Sequence, residues 1–93
     1  MRTQMQYYAP ELHRDITLCA LSAAGILAVS RVQDLRLPKD ARNMALILEH
    51  LRDGVADPTI KTDKELMEFA RRYPDLTARI FMMIRRLTMS LET

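Results

Sequence analysis

Five arginines crowd the last quarter of the chain. In "EFARRYPDLTARIFMMIRRL", Arg72, Arg79 and Arg86 recur every seven residues, flanked by Arg71 and Arg85. On a helix that spacing puts Arg79 and Arg86 on nearly one line. A row of guanidiniums suits a polyanion. Each one that neutralises a phosphate releases bound counterions, and such contacts position a protein without reading bases. The stretch can also be laid against a helix-turn-helix, which wants a small residue in its first helix, a turn, and apolar residues on its second helix that pack back. Ala70, then "RYPD", then Ile80 and Met83 fill those places, while Pro74 and Asp75 depart from the pattern. Thr77 and Thr88 are the main polar residues that could reach base edges, so phosphate contact is the expected mode. The alternative is a helical hairpin with a solvated basic face.

The other reactive residues are dispersed. His13 and His50 have no ligand-type neighbour at metal spacing. His13 reads as a surface group in a first helical turn, His50 as the polar flank of a second helix. Cys19 is the single cysteine; it can form no internal disulfide and suits a small apolar filler within a helix. No cysteine cluster, glycine-rich phosphate loop or nucleophile elbow occurs, and the carboxylates are scattered. The expectation is a protein that is not an enzyme and holds no metal or cofactor.

The arginines need elements to carry them, and the patterning is helical throughout. Net charge is +2, but the balance is uneven: residues 1–70 carry nine Lys/Arg against ten Asp/Glu, and residues 71–93 carry five Arg against two acids. No strand-like alternation stands out, so the expected class is all-α, a single domain of four helices. A long first helix is expected over residues 10–35, opened by Pro10 in its first turn and ended before Pro38. A second covers 39–53, with Met44, Ile47, Leu48 and Leu51 on one face and Gly54 as its stop. "GVADPTIKT" is the main loop. Thr62 and Glu65 form a capping box that starts a basic hairpin over 63–91, divided at Pro74. On its last helix Leu76, Ile80, Ile84, Leu87 and Leu91 make a core stripe, which Phe81, Met82, Met83 and Met89 widen into an adaptable contact surface.

The first helix holds "DITLCALSAAGILAVSR", in which fifteen residues without a charge separate Asp15 from Arg31. A spanning helix needs roughly 20 apolar residues, and the acidic lead-in does not suit a signal peptide. The chain is therefore expected to be cytoplasmic, with no membrane contact. A helix of 25 residues would be about 38 Å long, longer than a compact domain of this size is wide. Its apolar residues also wrap around it, and such a helix must be buried all round. A second copy could bury it, through Leu18, Leu21, Ala24, Gly25, Ala28, Val29 and Val32, with Ala20, Ala24 and Ala28 as a ridge for close approach. A monomeric bundle with the first helix bent at Gly25 is the other reading.

With these residues in view, the chain resembles FlhD, the small subunit of the flagellar master activator, and its relatives on conjugative plasmids and integrative elements. The likeness lies in "ITLCALSAAGILAV", in Arg36–Leu37, in "MALILEHL" and loosely in "PDLTARIFMMIRRL". The family's middle section is shortened here to "RDGVADPTIKTDKE", and its cysteine beyond the second helix has no counterpart. The resemblance implies an intertwined helical homodimer joined to a larger FlhC-like subunit, which carries the zinc and much of the DNA contact. It implies transcription activation of conjugation or motility genes. A second function class stays open beside it: a helical adaptor without DNA contact, such as a secretion chaperone, an antitoxin or a phage-type inhibitor, gripping a protein with its broad Met-rich face.

Overall fold

The computed structural model describes residues 3–60 and 62–89. The chain is not all-α: among the described residues three strands form an antiparallel sheet, and four helices accompany it. Strand β1 is Gln4–Ala9 and β2 is Arg14–Cys19. They pair from Gln4↔Cys19 to Ala9↔Arg14. In β1 the side chains alternate, Gln4, Gln6 and Tyr8 to solvent and Met5, Tyr7 and Ala9 inward, the period of two that a half-buried strand requires. Pro10 does open a helical turn, but only a single 3-10 turn, Pro10–Leu12. His13 then takes a left-handed conformation at φ 53°, and the chain reverses into β2. Cys19 is buried on that strand.

The fifteen-residue run is thus shared between two elements. Ile16–Cys19 end β2, Ala20–Ser22 form a link, and helix α1, Ala23–Asp34, begins after Ser22. Ser22 caps α1 by accepting the Gly25 N–H at 3.1 Å. Asp53 in turn accepts from the Ser22 N–H at 2.7 Å and from its hydroxyl at 2.8 Å. The helix α2 is Lys39–Gly54 and passes directly into β3, Val55–Asp57, so the first part of the expected loop is a third strand lying along β2. The hairpin is α3, Asp63–Arg72, and α4, Pro74–Met89, with Pro74 opening the second helix. The final residue of the expected stripe, Leu91, lies outside the described residues.

The molecule measures 38 × 32 × 20 Å. Its thickness matches one sheet carrying one layer of helices, each layer taking about 10 Å. Ile16 and Leu18 of β2 meet Leu51 of α2, Leu66 of α3 and Leu76, Ile80 and Ile84 of α4 in one core, with Ala9, Leu21 and Val55 at its margins. The first part of the uncharged run, from Ile16 to Leu21, is buried against helices of its own chain, whereas Ile26 and Leu27 on α1 stay exposed.

That result removes the expected dimer spine, because no helix runs over 10–35. Leu18 and Leu21 are core residues of the single chain, Ala20 is buried in the link, and Gly25 is packed against Asp53. Val32 is buried, Ala28 and Val29 are half-buried and Ala24 is exposed. The residues that looked like a helical seam sit on a strand, a link and a separate helix. Among the described residues, no helix is long and apolar enough to cross a membrane.

Candidate functional site

An apolar groove of ≈ 770 Å³ opens between α2 and α3, lined by Met44, Lys64, Met67, Glu68, Ala70 and Arg71. Three features hold α3 in place beside it. Leu66 is fully buried and anchors the helix. Thr62 caps its start by accepting the Glu65 N–H at 3.1 Å, while its hydroxyl donates to the Glu65 carboxylate at 3.0 Å. Arg52, near the end of α2, bridges Glu49 on its own helix and Asp63 at the start of α3.

With α3 pinned by Leu66, Met67 turns outward and is 56% exposed, and Met44 across the groove is 44% exposed. Unbranched thioether side chains adapt to irregular apolar partners, and two of them sharing one groove bear apolar surface with no cover among the described residues. Lys64 and Arg71 lie two helical turns apart on α3, with Glu68 between them. Among the described residues none of the three forms an ion pair. This arrangement can grip an apolar helix or strand and steer its charged flanks. Among the described residues no three His, Cys, Asp or Glu side chains come together as a metal-binding group.

The five arginines do not form one row. Arg71 and Arg72 flank a second hollow at the other side of α3, and Arg72 lies over the Tyr73 ring at 5.5 Å. Arg79 and Arg86 of α4 share a hollow with Tyr7 of β1, whereas Arg85 faces a different one and lies over the Phe81 ring at 5.7 Å. Arg79 is committed to the sheet: its Nε donates to the Tyr7 hydroxyl at 2.9 Å and its Nη2 to Glu11 at 2.7 Å. The Arg79 hydrogen bond holds the Glu11 carboxyl below its usual pKa, and Glu11 first, then Tyr7, raises that of Arg79. The two hydroxyls considered for base reading point inward. Thr77 is buried, and Thr88 donates to the Ile84 carbonyl at 2.8 Å while accepting the Leu21 N–H at 2.9 Å.

His50 is no polar flank. It is 3% exposed, its Nδ1–H donates to the Leu46 carbonyl at 2.7 Å, and its ring meets Phe81 edge-on at 4.7 Å. Burial chiefly lowers its pKa; the Leu46 bond and Glu49 oppose this and Arg85 adds to it. The folded state therefore binds the proton less readily than the unfolded state, and stability declines as pH falls below about 6.5 toward the lower folded value. Thermal melts between neutral and mildly acid pH should show this slope, and His50→Leu should flatten it. An equal slope in the variant would assign the acid sensitivity to other groups.

The sequence matches no family model and no curated protein. Among solved structures, the chain is similar to the bacteriophage HK97 tail assembly chaperone. The TM-score is 0.73 and the identity 16%, over 92% of this chain and 85% of that one. At that identity the likeness is one of fold: a small antiparallel sheet under a layer of helices, not a helical bundle.

Spacing alone places Met44 on the apolar face of α2 and Met67 directly after the apolar Leu66, with nothing to show that the two share a groove. The available signal was Met67 itself, one apolar residue beyond the Leu66 and Phe69 positions in a helix otherwise charged on that side.

Proposed function

We propose that the protein is a non-enzymatic, cytoplasmic protein-binding adaptor of the assembly-chaperone kind, which holds an apolar segment of a partner protein in the α2–α3 groove. The observation that carries this reading is the pair Met44 and Met67, both half exposed and lining one groove with Lys64 and Arg71 at its rim. The fold likeness to a tail assembly chaperone supports it. It is the adaptor class of function rather than the transcription activator. An FlhC-like partner and DNA contact find no support in the comparisons. The distribution of Arg71, Arg72, Arg79, Arg85 and Arg86 over separate surfaces also weighs against a single phosphate-binding row.

The test is co-expression with the products of the genes beside its own, scoring which product stays soluble and co-elutes. Both groove methionines are exposed, so Met44→Asp/Met67→Asp should leave the melting temperature nearly unchanged. A charge placed in an apolar contact without a counter-charge is costly, and the double variant should bind the co-eluting product at least ~10-fold more weakly, a loss of about 1.4 kcal/mol or more. Undiminished binding by a folded double variant would remove the groove as the grip. A shift of duplex DNA by the wild type that is lost in Arg71→Ala/Arg72→Ala would restore the nucleic-acid reading.

A further inference from the structure

The two edges of the sheet are built differently. The β3 edge is three residues long, carries Asp57, meets an irregularity in the register at Thr17/Leu18, and is followed by Pro58. Short length, charge, irregularity and proline are the usual devices that prevent an edge from accepting another strand. The β1 edge is also followed by a proline, Pro10, but has none of the other three. "QMQYYA" is six residues long with regular pairing to β2 and contains no charge, glycine or proline.

The hydrogen-bonding phase of that open edge can be read from one bond. The Ala20 N–H donates to the Thr3 carbonyl at 2.9 Å, and the register places Thr3 opposite Ala20, one step beyond Gln4↔Cys19. Bonded and non-bonded pairs alternate in an antiparallel ladder. Residues Thr3, Met5, Tyr7 and Ala9 therefore bond toward β2. The N–H and C=O groups of Gln4, Gln6 and Tyr8 point away from the sheet, where no described strand meets them.

We infer that this edge pairs with the same edge of a second copy, β1 antiparallel to β1 about a two-fold axis at Gln6, to make one six-stranded sheet. The occupant follows from symmetry. The three outward residues are evenly spaced about Gln6. In that register Gln4 faces Tyr8 of the second copy, Gln6 faces Gln6, and Tyr8 faces Gln4. All three outward N–H groups and all three outward C=O groups of each strand are then satisfied, with none left over. The register also keeps both faces in agreement, since directly opposed residues lie on the same side of a sheet. Glutamines and tyrosines meet on the exposed face, and Met5 meets Tyr7 on the helical face. No like charges are brought opposite each other within the paired strands, because the strand has none. Tyr7 also shares its hollow with Met82, which is 51% exposed; pairing brings the two copies' hollows together beneath the new sheet. The surface is built from residues other than those of the α2–α3 groove, so the inference stands apart from the adaptor reading.

The experiment is sedimentation equilibrium of the full chain at micromolar concentrations. Wild type should approach twice the chain mass. Gln6→Lys opposes two like charges at the axis, and Gln6→Pro deletes an outward N–H without removing a backbone bond to β2, a place where an edge strand tolerates proline; both changes also remove the exposed hydrogen bond from the Gln6 side-chain amide to the Thr17 hydroxyl. Both should sediment as monomers with the wild-type far-UV spectrum. If the proline variant loses that spectrum, the lysine variant alone decides. Register is tested with cysteine. Paired Cα atoms at the axis lie about 5.5 Å apart, within disulfide range, so Gln6→Cys should give an oxidised dimer. Gln4→Cys, whose copies sit four residues apart along the ladder, should not. A wild-type monomer, a dimer indifferent to folded Gln6→Lys, or cross-linking at position 4 in place of position 6 would overturn the inference.

Discussion

Replacing Leu18 by alanine is expected to cost about 2–5 kcal/mol, the usual range for truncating a fully buried leucine. Leu18 is 0% exposed on β2, opposite Met5 on one side and Val55 on the other. It belongs to the cluster that joins the sheet to Leu51, Ile80 and Ile84. Its loss therefore leaves a cavity where the sheet layer meets the helix layer. On the seam reading of a long first helix, the same change would weaken association and leave the subunit's own helices intact. Denaturant unfolding separates the two. The core position demands a lower midpoint at all protein concentrations. A variant as stable as wild type within about 0.5 kcal/mol would show that Leu18 is not in the core.

Gly54→Ala is the second large effect, about 1–3 kcal/mol of destabilisation from overpacking. On an exposed helix the same change is favourable, because alanine is the better helix former. The sign reverses here because a Cβ at position 54 would stand 2.6 Å from Ile84 Cδ1 and 2.7 Å from its Cγ2. Ile84 is fully buried and branched at Cβ, which restricts its escape to another rotamer. The backbone of α2 approaches α4 so closely at this point that only hydrogen fits. Ile84→Val should recover part of the loss if this contact is its source. A melting temperature for Gly54→Ala at or above the wild-type value would show that α4 yields easily there.

The helices from Lys39 onward were legible because each carries its own local signals: Pro38 before α2, Gly54 at its end, the Thr62 hydroxyl three residues before Glu65, and Pro74 at the start of α4. The first third was not. Leu18, Leu21, Val29 and Val32 fall at helical spacing, yet the first lies on β2, the second in a link and the others on α1. The true division is at Ser22, whose capping role is reinforced by Asp53, 31 residues away in sequence. Nothing local announces that partner. The alternation of β1 is diluted because Tyr7 and Tyr8 are both aromatic, one inward and one outward. The candidate site fared similarly. Arginine spacing was plain, and the rings beside Arg72 and Arg85 are local, but Tyr7 and Glu11, which engage Arg79 from 72 and 68 residues away, are placed by the tertiary fold. The groove depends on which side of α3 Leu66 pins down.

The position of β2 in the middle of the sheet has a consequence in time. One neighbour, β1, adjoins it in sequence, but β3 and the cover supplied by Leu76, Ile80 and Ile84 lie far downstream. During synthesis from the amino end, the β1–β2 hairpin emerges with Ile16 and Leu18 uncovered, and a lone two-stranded hairpin is at best marginally stable in water. It must wait for some sixty further residues, at synthesis rates of ~5–20 residues per second. For several seconds every nascent copy presents an apolar hairpin with an unguarded edge, beside other nascent copies when one message is translated many times. Helix α4 is therefore the step that ends this exposure, and a ribosome stalled before Pro74 would hold a chain whose core still lacks Leu76, Ile80 and Ile84.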